Sequence, residues 1–361
     1  MVDLEKTYKG KKVFLTGHTG FKGAYLTKIL SLLGAEVMGY SLKPNTNPNL
    51  YSILNIKDLC CSIIADVRQK EVLKKHIMDF RPDFIFHLAA QPLVLDSYKE
   101  PAYTFDVNVI GTANLLEAVR DMNKPNCNTL IVTTDKVYKN EEKNYAYKET
   151  DLLGGYDPYS ASKAATEILI NSFRSSFFNP KEKEKHNNNK VVSLRAGNVI
   201  GGGDWAENRL IPDIVRAIHQ NIEIEVRNPE AIRPWQHVFE PLYGYLFAGK
   251  FMEEEKLFEE AINFGPYQKD TLKVKDIVEM AILIWGEGKY RIIPQNNALH
   301  EANNLQLDIN RAISLGWKPL WDAKTAIENT IIWYKTYYSN EAEIENLTTN
   351  QICQYFKIKK D

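Results

Sequence analysis

Short apolar runs alternate with helix-like stretches over roughly the first 200 residues of the chain. The runs have the length of strands, and the stretches between them repeat apolar residues about every 3.6 positions. Because strands that alternate with helices pair in parallel, this rhythm predicts a doubly wound α/β sheet of six or seven strands. The predicted strands span residues 12–16, 36–41, 62–66, 83–89, 129–134 and 191–195. The predicted crossover helices span residues 21–33, 69–80, 102–122 and 158–178.

The rhythm changes after Arg195 to segments rich in glycine and proline, such as Gly201-Gly202-Gly203, with helices expected near 210–219 and 274–285. We therefore expect a Rossmann-like domain in residues 1–197 and mainly a smaller α/β substrate-binding domain in residues 198–361, with some segments returning to the first part. For the last residues, 340–361, a helix and a mobile tail both remain open.

Charge and cysteine usage exclude several functions. Forty-five basic and 46 acidic side chains leave a net charge of −1, so no broad positive field is present to bind nucleic acid or anionic lipid. No apolar run approaches the roughly 18 residues of a membrane span, and the first ten residues lack an apolar core, so we expect a cytoplasmic protein. The four cysteines, with no C-x-x-C spacing, indicate neither disulfides nor a metal site.

A glycine-rich turn joins the first predicted strand to the first predicted helix. There, backbone N–H groups at the positive end of the helix can approach a pyrophosphate, which predicts a dinucleotide site. An acidic residue usually follows about 20 residues later, but residues 39–43 contain none, so the residues alone leave NAD and NADP open. The predicted cofactor loop consists of Gly17, His18, Thr19, Gly20, Phe21, Lys22 and Gly23.

Polar residues at later strand ends are further candidates. Asp66, which closes the third predicted strand, is as consistent with an adenine contact as with ordinary capping of a strand end. Ala89, Ala90 and Gln91 close the fourth strand, where a dinucleotide would cross the sheet edge. Asn108 is a poor helix former inside a predicted helix, and we expect it to support neighbouring backbone.

Tyr159 and Lys163 are separated by one helical turn and project to one face of their predicted helix. This spacing recurs by chance elsewhere in the chain, but the helix begins at Asp157-Pro158 and returns to the sheet. A tyrosine beside an ammonium group and a nicotinamide ring can serve as the base of a dehydrogenase if its pKa falls by about three units. Thr134 is the natural third member of the set.

Asp135 and Lys136 add an acid and a base that hydride transfer alone does not need. A second reaction is therefore expected, and elimination of water fits best. The pKa of Asp135 must then rise and that of Lys136 must fall, and burial favours both changes. An ordinary turn after the fifth strand is the structural alternative.

Longer strings carry a resemblance. The glycine loop, Ala89-Ala90-Gln91, the Tyr159/Lys163 pair and residues 195–198 are similar to extended short-chain dehydrogenases/reductases. Five rarer strings within residues 11–250 resemble CDP-glucose 4,6-dehydratases. They are Ala90-Gln91-Pro92-Leu93-Val94, Thr133-Thr134-Asp135-Lys136, the string 153–160, the string 197–205, and Arg233-Pro234-Trp235-Gln236-His237-Val238.

The resemblance implies NAD-dependent conversion of CDP-D-glucose to CDP-4-keto-6-deoxy-D-glucose. Tyr159 would take the C4 hydroxyl proton while hydride passes to NAD, with Thr134 and Lys163 in support. Asp135 would protonate the leaving C6 hydroxyl, and Lys136 would remove the C5 proton. Implied cofactor contacts are the glycine loop, Ser41, Asp66, Val67, Ala89, Ala90, Gln91, Asn108, Tyr159 and Lys163. Expected sugar-nucleotide ligands are Asn198, Arg209, Leu210, Arg233, Trp235 and His237, the last two being equally consistent with packed surface.

The resemblance further implies a homodimer and a place in deoxysugar biosynthesis, such as that of lipopolysaccharide O-antigen. Two positions depart from related patterns. Leu95 stands where the family often has arginine, and Lys136 stands where dTDP-glucose dehydratases have glutamate. A sugar-nucleotide 4-epimerase, a dehydratase of another hexose nucleotide, a simple reductase and a dinucleotide-sensing regulator are the alternative functions.

Overall fold

The structure is a computed structural model that describes residues 3–141, 143, 145–179, 181–182, 187–257, 260–293 and 305–359. Its strands are β1 Lys12–Thr16, β2 Glu36–Ser41, β3 Cys61–Ile64, β4 Phe84–His87, β5 Asn128–Val132, β6 Ala146–Tyr147, β7 Lys190–Ala196, β8 Val199–Ile200, β9 Ile224–Val226, β10 Ile232–Arg233, β11 Gln236–His237, β12 Ala261–Phe264, β13 Leu272–Lys273, β14 Tyr290–Ile292 and β15 Gln306–Leu307. Its α-helices are α1 Glu5–Tyr8, α2 Phe21–Leu32, α3 Leu50–Ile53, α4 Lys70–Phe80, α5 Val94–Lys99, α6 Pro101–Phe105, α7 Gly111–Asp121, α8 Pro158–Phe177, α9 Leu210–His219, α10 Phe239–Glu253, α11 Val274–Trp285, α12 Asn310–Ser314, α13 Ala323–Ser339 and α14 Ile344–Phe356.

Seven strands of the described chain form one sheet in the order β12-β7-β5-β4-β1-β2-β3. Every neighbouring pair in it is parallel. The strands run outward in both directions from β1 and β4, which defines a doubly wound sheet with a switch point between these two strands. The predicted fold class is confirmed. Ligands of such sheets bind at the carboxyl ends of the strands near that point.

The seventh strand comes from the second half of the chain. β12 pairs with β7 in a register that places Asn263 opposite Arg195. Its four residues are all buried, as expected for a strand covered on both faces. A segment of the second half therefore completes the first-half sheet, so the two predicted parts share one framework.

Several predicted bounds were wrong by one or more residues at the ends where the site lies. The strand expected at 62–66 ends at Ile64 and leaves Asp66 in the following turn, and the strand expected at 83–89 ends at His87. The helix expected at 102–122 is α6 and α7 joined by a π-helical turn, Asp106–Ile110, that contains Asn108. Such turns often mark functional positions because they interrupt the regular hydrogen-bond ladder.

The second half packs on the sheet through large aromatic side chains. The indole of Trp333 in α13 lies against Gly202, where a Cβ would overlap the ring. Trp317 stacks edge-on with Phe264 of β12 at 5.0 Å between ring centres. The segment left open as helix or tail forms α14 over Ile344–Phe356. Within the described ranges, no helix has the length and apolar character needed to cross a bilayer.

Candidate active site

The glycine turn lies between β1 and α2, at the switch point of the sheet. Gly17 has φ +80° and a Cβ there would lie 2.8 Å from the backbone nitrogen of Ala89, so only glycine fits. At Gly23 a Cβ would overlap the carbonyl oxygen of Gly17, which lets the helix approach the turn closely. No side chain caps the helix at Gly20. The first N–H groups of α2 thus face the turn, and the shape fits a dinucleotide pyrophosphate.

Two loop side chains point into the protein. His18 is fully buried, its Nε2 lies 2.7 Å from Ser62 Oγ, and burial lowers the pKa of its imidazole to about 4. Thr19 Oγ1 lies 2.9 Å from Ser41 Oγ and donates to the carbonyl oxygen of Leu42 at 2.8 Å. These residues fix the loop against β2 and β3, and their backbone groups remain at the cofactor turn.

Lys22 connects the cofactor loop to the residues of the second predicted reaction. Burial lowers the pKa of its ammonium to about 8, the charge of Arg209 lowers it further, and that of Asp135 opposes the change. Its charge also acts on Lys163. The loop therefore contributes a cation to the region of Asp135 and Lys163, which sequence spacing did not indicate.

The residues predicted near adenine occupy the outer end of the sheet. Asp66 accepts hydrogen bonds from the Arg68 side chain at 2.7 and 3.0 Å. Partial burial acts to raise the pKa of Asp66, but these bonds outweigh it and lower the pKa. Val67 is buried against Gly111, and Ser41 holds Thr19 as described. The Asp66 carboxylate is therefore engaged with Arg68 in this structure.

The end of β4 is held by hydrogen bonds from helices. Asn108 Oδ1 accepts from the Gln91 N–H at 2.9 Å, and its Nδ2 donates to Ser162 Oγ at 2.9 Å. Gln91 turns its own side chain back to Leu93 and Thr104. The backbone N–H of Ala89 donates to Thr16 at 3.1 Å, and Ala90 is half-buried beside it. Asn108 thus supports backbone, as predicted.

Thr134, Asp135 and Lys136 form the turn that follows β5. Thr134 Oγ1 donates to Asp135 Oδ1 at 2.9 Å and accepts from the Lys136 N–H at 3.4 Å. Asp135 is 6% exposed, and burial raises the pKa of its carboxyl against the lowering effect of the Lys136 charge. A carboxyl with a raised pKa retains its proton nearer to neutrality, which suits a general acid.

Tyr159 and Lys163 lie one turn apart in α8 and face this turn. Burial raises the pKa of Tyr159 to about 12, although a hydrogen bond with Thr134 opposes the rise. Burial lowers the pKa of Lys163 to about 8, and its Nζ donates to the carbonyl oxygen of Val132 at 3.2 Å. Burial of the phenol dominates in the polypeptide by itself, and a lowering of the Tyr159 pKa by Lys163 together with an oxidised nicotinamide stays a prediction.

The predicted phosphate ligands Asn198, Arg209 and Leu210 lie between the end of β7 and the start of α9. Asn198 is exposed two residues after β7. Arg209 directly precedes α9, donates to Asp204 Oδ2 at 2.6 Å, and acts electrostatically on Tyr159. Leu210 opens α9, whose N-terminus has no side-chain cap. Arg209 is therefore the member of this group that the fold brings near Tyr159.

Trp235 and His237, the residues predicted to line the ribose and base pocket, are both buried. His237 is 1% exposed, and its ring packs on Phe239 and Trp321, which lowers the pKa of the imidazole to about 3 by burial. Trp235 is also buried. Arg233 ends β10, and its side chain lies outside the described part of the chain. In this structure His237 belongs to the aromatic core, as its packed alternative requires.

A small pocket opens beside Asp135, and its lining includes residues to which the sequence assigned no role. Gly197 and Gln236 line it near Asp135, and the segments 265–271 and 305–307 contribute the opposite side. The missed signals are a Gly-Pro turn directly after a buried strand and a glutamine at a buried strand position. Neither is specific without knowledge of β12, whose neighbour in the sheet is distant in the chain.

The fold and the site define a class. Extended short-chain dehydrogenases/reductases combine a parallel doubly wound sheet with a glycine turn after the first strand and a Tyr-x-x-x-Lys helix. This chain has the three features together, with the helix following β5. Residues 14–330 match the family model described as GDP-mannose 4,6 dehydratase. The chain belongs to this GDP-mannose 4,6-dehydratase family. A CDP-glucose 4,6-dehydratase of Salmonella typhimurium is 44% identical over 344 residues, which are 94% of this chain and 95% of that protein.

Other relatives share the fold at lower identity. A UDP-glucose 4-epimerase of Mycoplasma genitalium is 25% identical over 74% of this chain and 80% of its own length. The crystal structure of dTDP-glucose 4,6-dehydratase from Bacillus anthracis in complex with NAD has a TM-score of 0.74 at 21% identity, covering 94% of this chain and all of that one. A UDP-glucose 4-epimerase from Stenotrophomonas maltophila with bound NAD reaches 0.77 at 20% identity, covering 92% and 100%.

Proposed function

We propose that this protein catalyses the NAD-dependent 4,6-dehydration of a nucleotide-activated hexose, with CDP-D-glucose as substrate and CDP-4-keto-6-deoxy-D-glucose as product. One observation carries the proposal. A buried carboxyl with a raised pKa, Asp135, lies beside Lys136 and accepts from Thr134, and both Thr134 and Asp135 act on the pKa of Tyr159. The acid-base pair is thus part of the oxidation site. The 44% identity to a CDP-glucose 4,6-dehydratase supports the choice of nucleotide.

Oxidation at C4 requires a base for the hydroxyl proton. Tyr159 takes this role, and Thr134 holds its hydroxyl group. NAD, when bound at the glycine turn, accepts the C4 hydride and later returns it to C6. Burial alone keeps the Tyr159 pKa high. The positive charges of Lys163 and of the oxidised cofactor are therefore needed to lower the pKa of the phenol toward neutral pH.

Elimination follows from the acidity that the C4 ketone gives to the C5 hydrogen. Lys136 removes the C5 proton, the C6–O bond breaks, and Asp135 gives its proton to the leaving hydroxyl, which departs as water. Lys136, whose ammonium protons exchange with solvent, then returns a proton to C5 when C6 has received the hydride. The sum is loss of one water molecule with no net change of the nicotinamide.

The sugar nucleotide needs cations for its pyrophosphate. Arg209 and Arg233 are the proposed ligands, because one guanidinium group can donate two parallel hydrogen bonds to phosphate oxygens. Asn198, Leu210 and Trp235 complete the proposed wall. Arg209 must exchange or share its bond with Asp204 to do so.

A homodimer, a cytoplasmic location and a role in deoxysugar and O-antigen synthesis belong to the same proposal. For the dimer the support is apolar exposure on neighbouring helices. Phe105 in α6, Ile110 in the π-helical turn and Ile168 in α8 are 38, 50 and 62% exposed. Exposed apolar side chains on one side of a protein often mark an interface. The proposed location rests on the hydropathy of the sequence, and the proposed pathway rests on the family resemblance alone.

The test is incubation with CDP-glucose and NAD in deuterated water, followed by NMR of the sugar protons and absorbance at 340 nm. We expect a 4-keto-6-deoxy sugar with deuterium at C5 and no net gain of absorbance. UDP-, GDP- and dTDP-glucose serve as matched substrates, and Asp135→Asn as the matched variant, which should lose elimination. Formation of a C4 epimer would instead establish an epimerase, and product from dTDP-glucose alone would overturn the choice of nucleotide.

A further inference from the structure

The pocket beside Asp135 has one wall that the proposed mechanism does not explain. Gln236 lies on this wall, is 1% exposed, and occupies the first position of β11, directly opposite Val199 of β8. The parallel pairing of β11 with β8 therefore fixes the position of its backbone.

The carboxamide of Gln236 is buried without a partner. Among the described residues, neither its Oε1 nor its Nε2 has a hydrogen-bond partner. Buried polar side chains are bonded in the large majority of cases, because an unpaired buried group costs about 1–3 kcal/mol. Core packing alone would favour leucine here. A glutamine at this place is better explained by a group that enters the pocket.

Gly197 leaves space between this carboxamide and the proposed acid. A Cβ built on Gly197 would lie 3.0 Å from Asp135 Oδ2 and 4.0 Å from Gln236 Nε2. Its φ is not in the left-handed region, so the backbone does not require glycine. The missing side chain therefore keeps open a gap that the Asp135 carboxyl and the Gln236 amide both border.

We infer that Gln236 binds a hydroxyl group of the hexose ring and holds the sugar for elimination at Asp135. A sugar hydroxyl donates one hydrogen bond and accepts others, and a carboxamide offers both a donor and an acceptor. Asp135 is assigned to the C6 oxygen, so the partner of Gln236 is the hydroxyl at C2 or C3. This inference rests on the proposed function and adds a residue that determines sugar specificity.

The test compares wild-type protein, Gln236→Leu and the control Gln220→Leu, which changes an exposed amide after α9. With CDP-glucose, kcat/KM of Gln236→Leu should fall about 10- to 100-fold, and Gln220→Leu should match wild type. Without substrate, the unfolding midpoint of Gln236→Leu should equal or exceed that of wild type, because an unpaired buried amide is removed. A structural role would lower it.

The second arm removes the hydroxyl instead of the amide. CDP-2-deoxyglucose and CDP-3-deoxyglucose are given to both proteins. With one of these two analogues, wild type should be less active than with CDP-glucose. Gln236→Leu should be as active with that analogue as it is with CDP-glucose. Gly197→Ala, which fills the gap with a methyl group, should also lower kcat/KM. Losses in Gln236→Leu that are equal for all three substrates, or activity within twofold of wild type, would overturn the inference. If wild type turns over no CDP-hexose, the proposed function itself fails, and this inference with it.

Discussion

At the scale of single residues, burial sets the protonation of the candidate site. It raises the pKa of Asp135, raises that of Tyr159 to about 12, and lowers those of Lys22 and Lys163 to about 8. All four shifts favour neutral groups, because a charge is costly in a site of low dielectric. A site of this kind is poised to accept charge from a cofactor and a substrate, and it destabilises the folded protein until they bind.

The Lys163 pKa gives a prediction with a definite sign. The pKa of Lys163 is about 8 in the folded protein and 10.5 for an exposed lysine. At pH values between these two, the unfolded chain binds a proton that the folded protein has lost. Stability therefore rises with pH across this window, and below it the buried ammonium destabilises the fold. Lys163→Met should raise the free energy of unfolding at pH 7, by up to about 3 kcal/mol, and abolish turnover. Urea unfolding at pH 7 and pH 10.5 without added nucleotide measures it.

A suitable control is Lys99→Met, since the Lys99 side chain is 73% exposed and its loss should leave stability nearly unchanged. The advantage of Lys163→Met should shrink at the higher pH, where wild-type Lys163 is neutral. Equal or lower stability of Lys163→Met at pH 7 would contradict the buried-charge argument.

At the scale of elements, one buried ion pair joins the end of β5, β7 and α8 beside the turn 134–136. Glu167, one turn after Lys163 in α8, bonds to Arg195 of β7 at 2.8 and 3.0 Å. The same carboxylate accepts from Thr133 at 2.5 Å and from Ser193 at 2.7 Å. Both charged side chains are 3% exposed. The pair fixes the turn 134–136 relative to the helix that carries Tyr159.

Glu167→Gln should therefore cost about 3–5 kcal/mol of stability, because it leaves the Arg195 guanidinium buried with its charge uncompensated. Urea unfolding at pH 7 gives the value. The matched control is Glu255→Gln. The Glu255 side chain is 51% exposed, and its carboxylate lies 3.7 Å from Lys190 Nζ. This change should cost less than about 1 kcal/mol of stability. Similar losses in both variants would show that the buried pair has no special weight.

At the scale of the whole molecule, the described chain has one framework. β12 brings the second half into the sheet, and the aromatic side chains of α13 and α14 extend the core from it. Apolar exposure remains on the side of α6, the π-helical turn and α8, where the proposed dimer would form. Helices that flank a sheet can bury such residues against a second copy.

The dimer proposal predicts that the double variant Ile110→Lys/Ile168→Lys is monomeric. Each of the two new charges occurs once in each copy, so the interface would have to bury four charges. Light scattering coupled to size-exclusion chromatography measures the mass. Leu283→Lys in α11, where the leucine is 81% exposed, should keep the wild-type mass. A monomeric wild-type protein, or dissociation of the Leu283 variant as well, would rule out this interface.

Sequence patterns alone determined the central part of the fold. Strand runs of period two or continuous apolar character, and helices of period 3.6, are local properties, so β1, β2, α2 and α8 were predicted to within a residue. The glycine turn and the Tyr159/Lys163 pair depend on similarly short spacings. The family resemblance rested on strings of adjacent residues, which can be compared without a structure. It therefore suggested the chemistry from the sequence alone.

Tertiary structure decided the features that depend on contacts between distant parts of the chain. The partner of β7 at the sheet edge is β12, which is too short to be distinctive in sequence. The burial of His237, the approach of Lys22 to Asp135 and the gap between Asp135 and Gln236 arise where separate segments meet. Burial and charge proximity are properties of packing in three dimensions, so a one-dimensional pattern indicates the residue types without their surroundings.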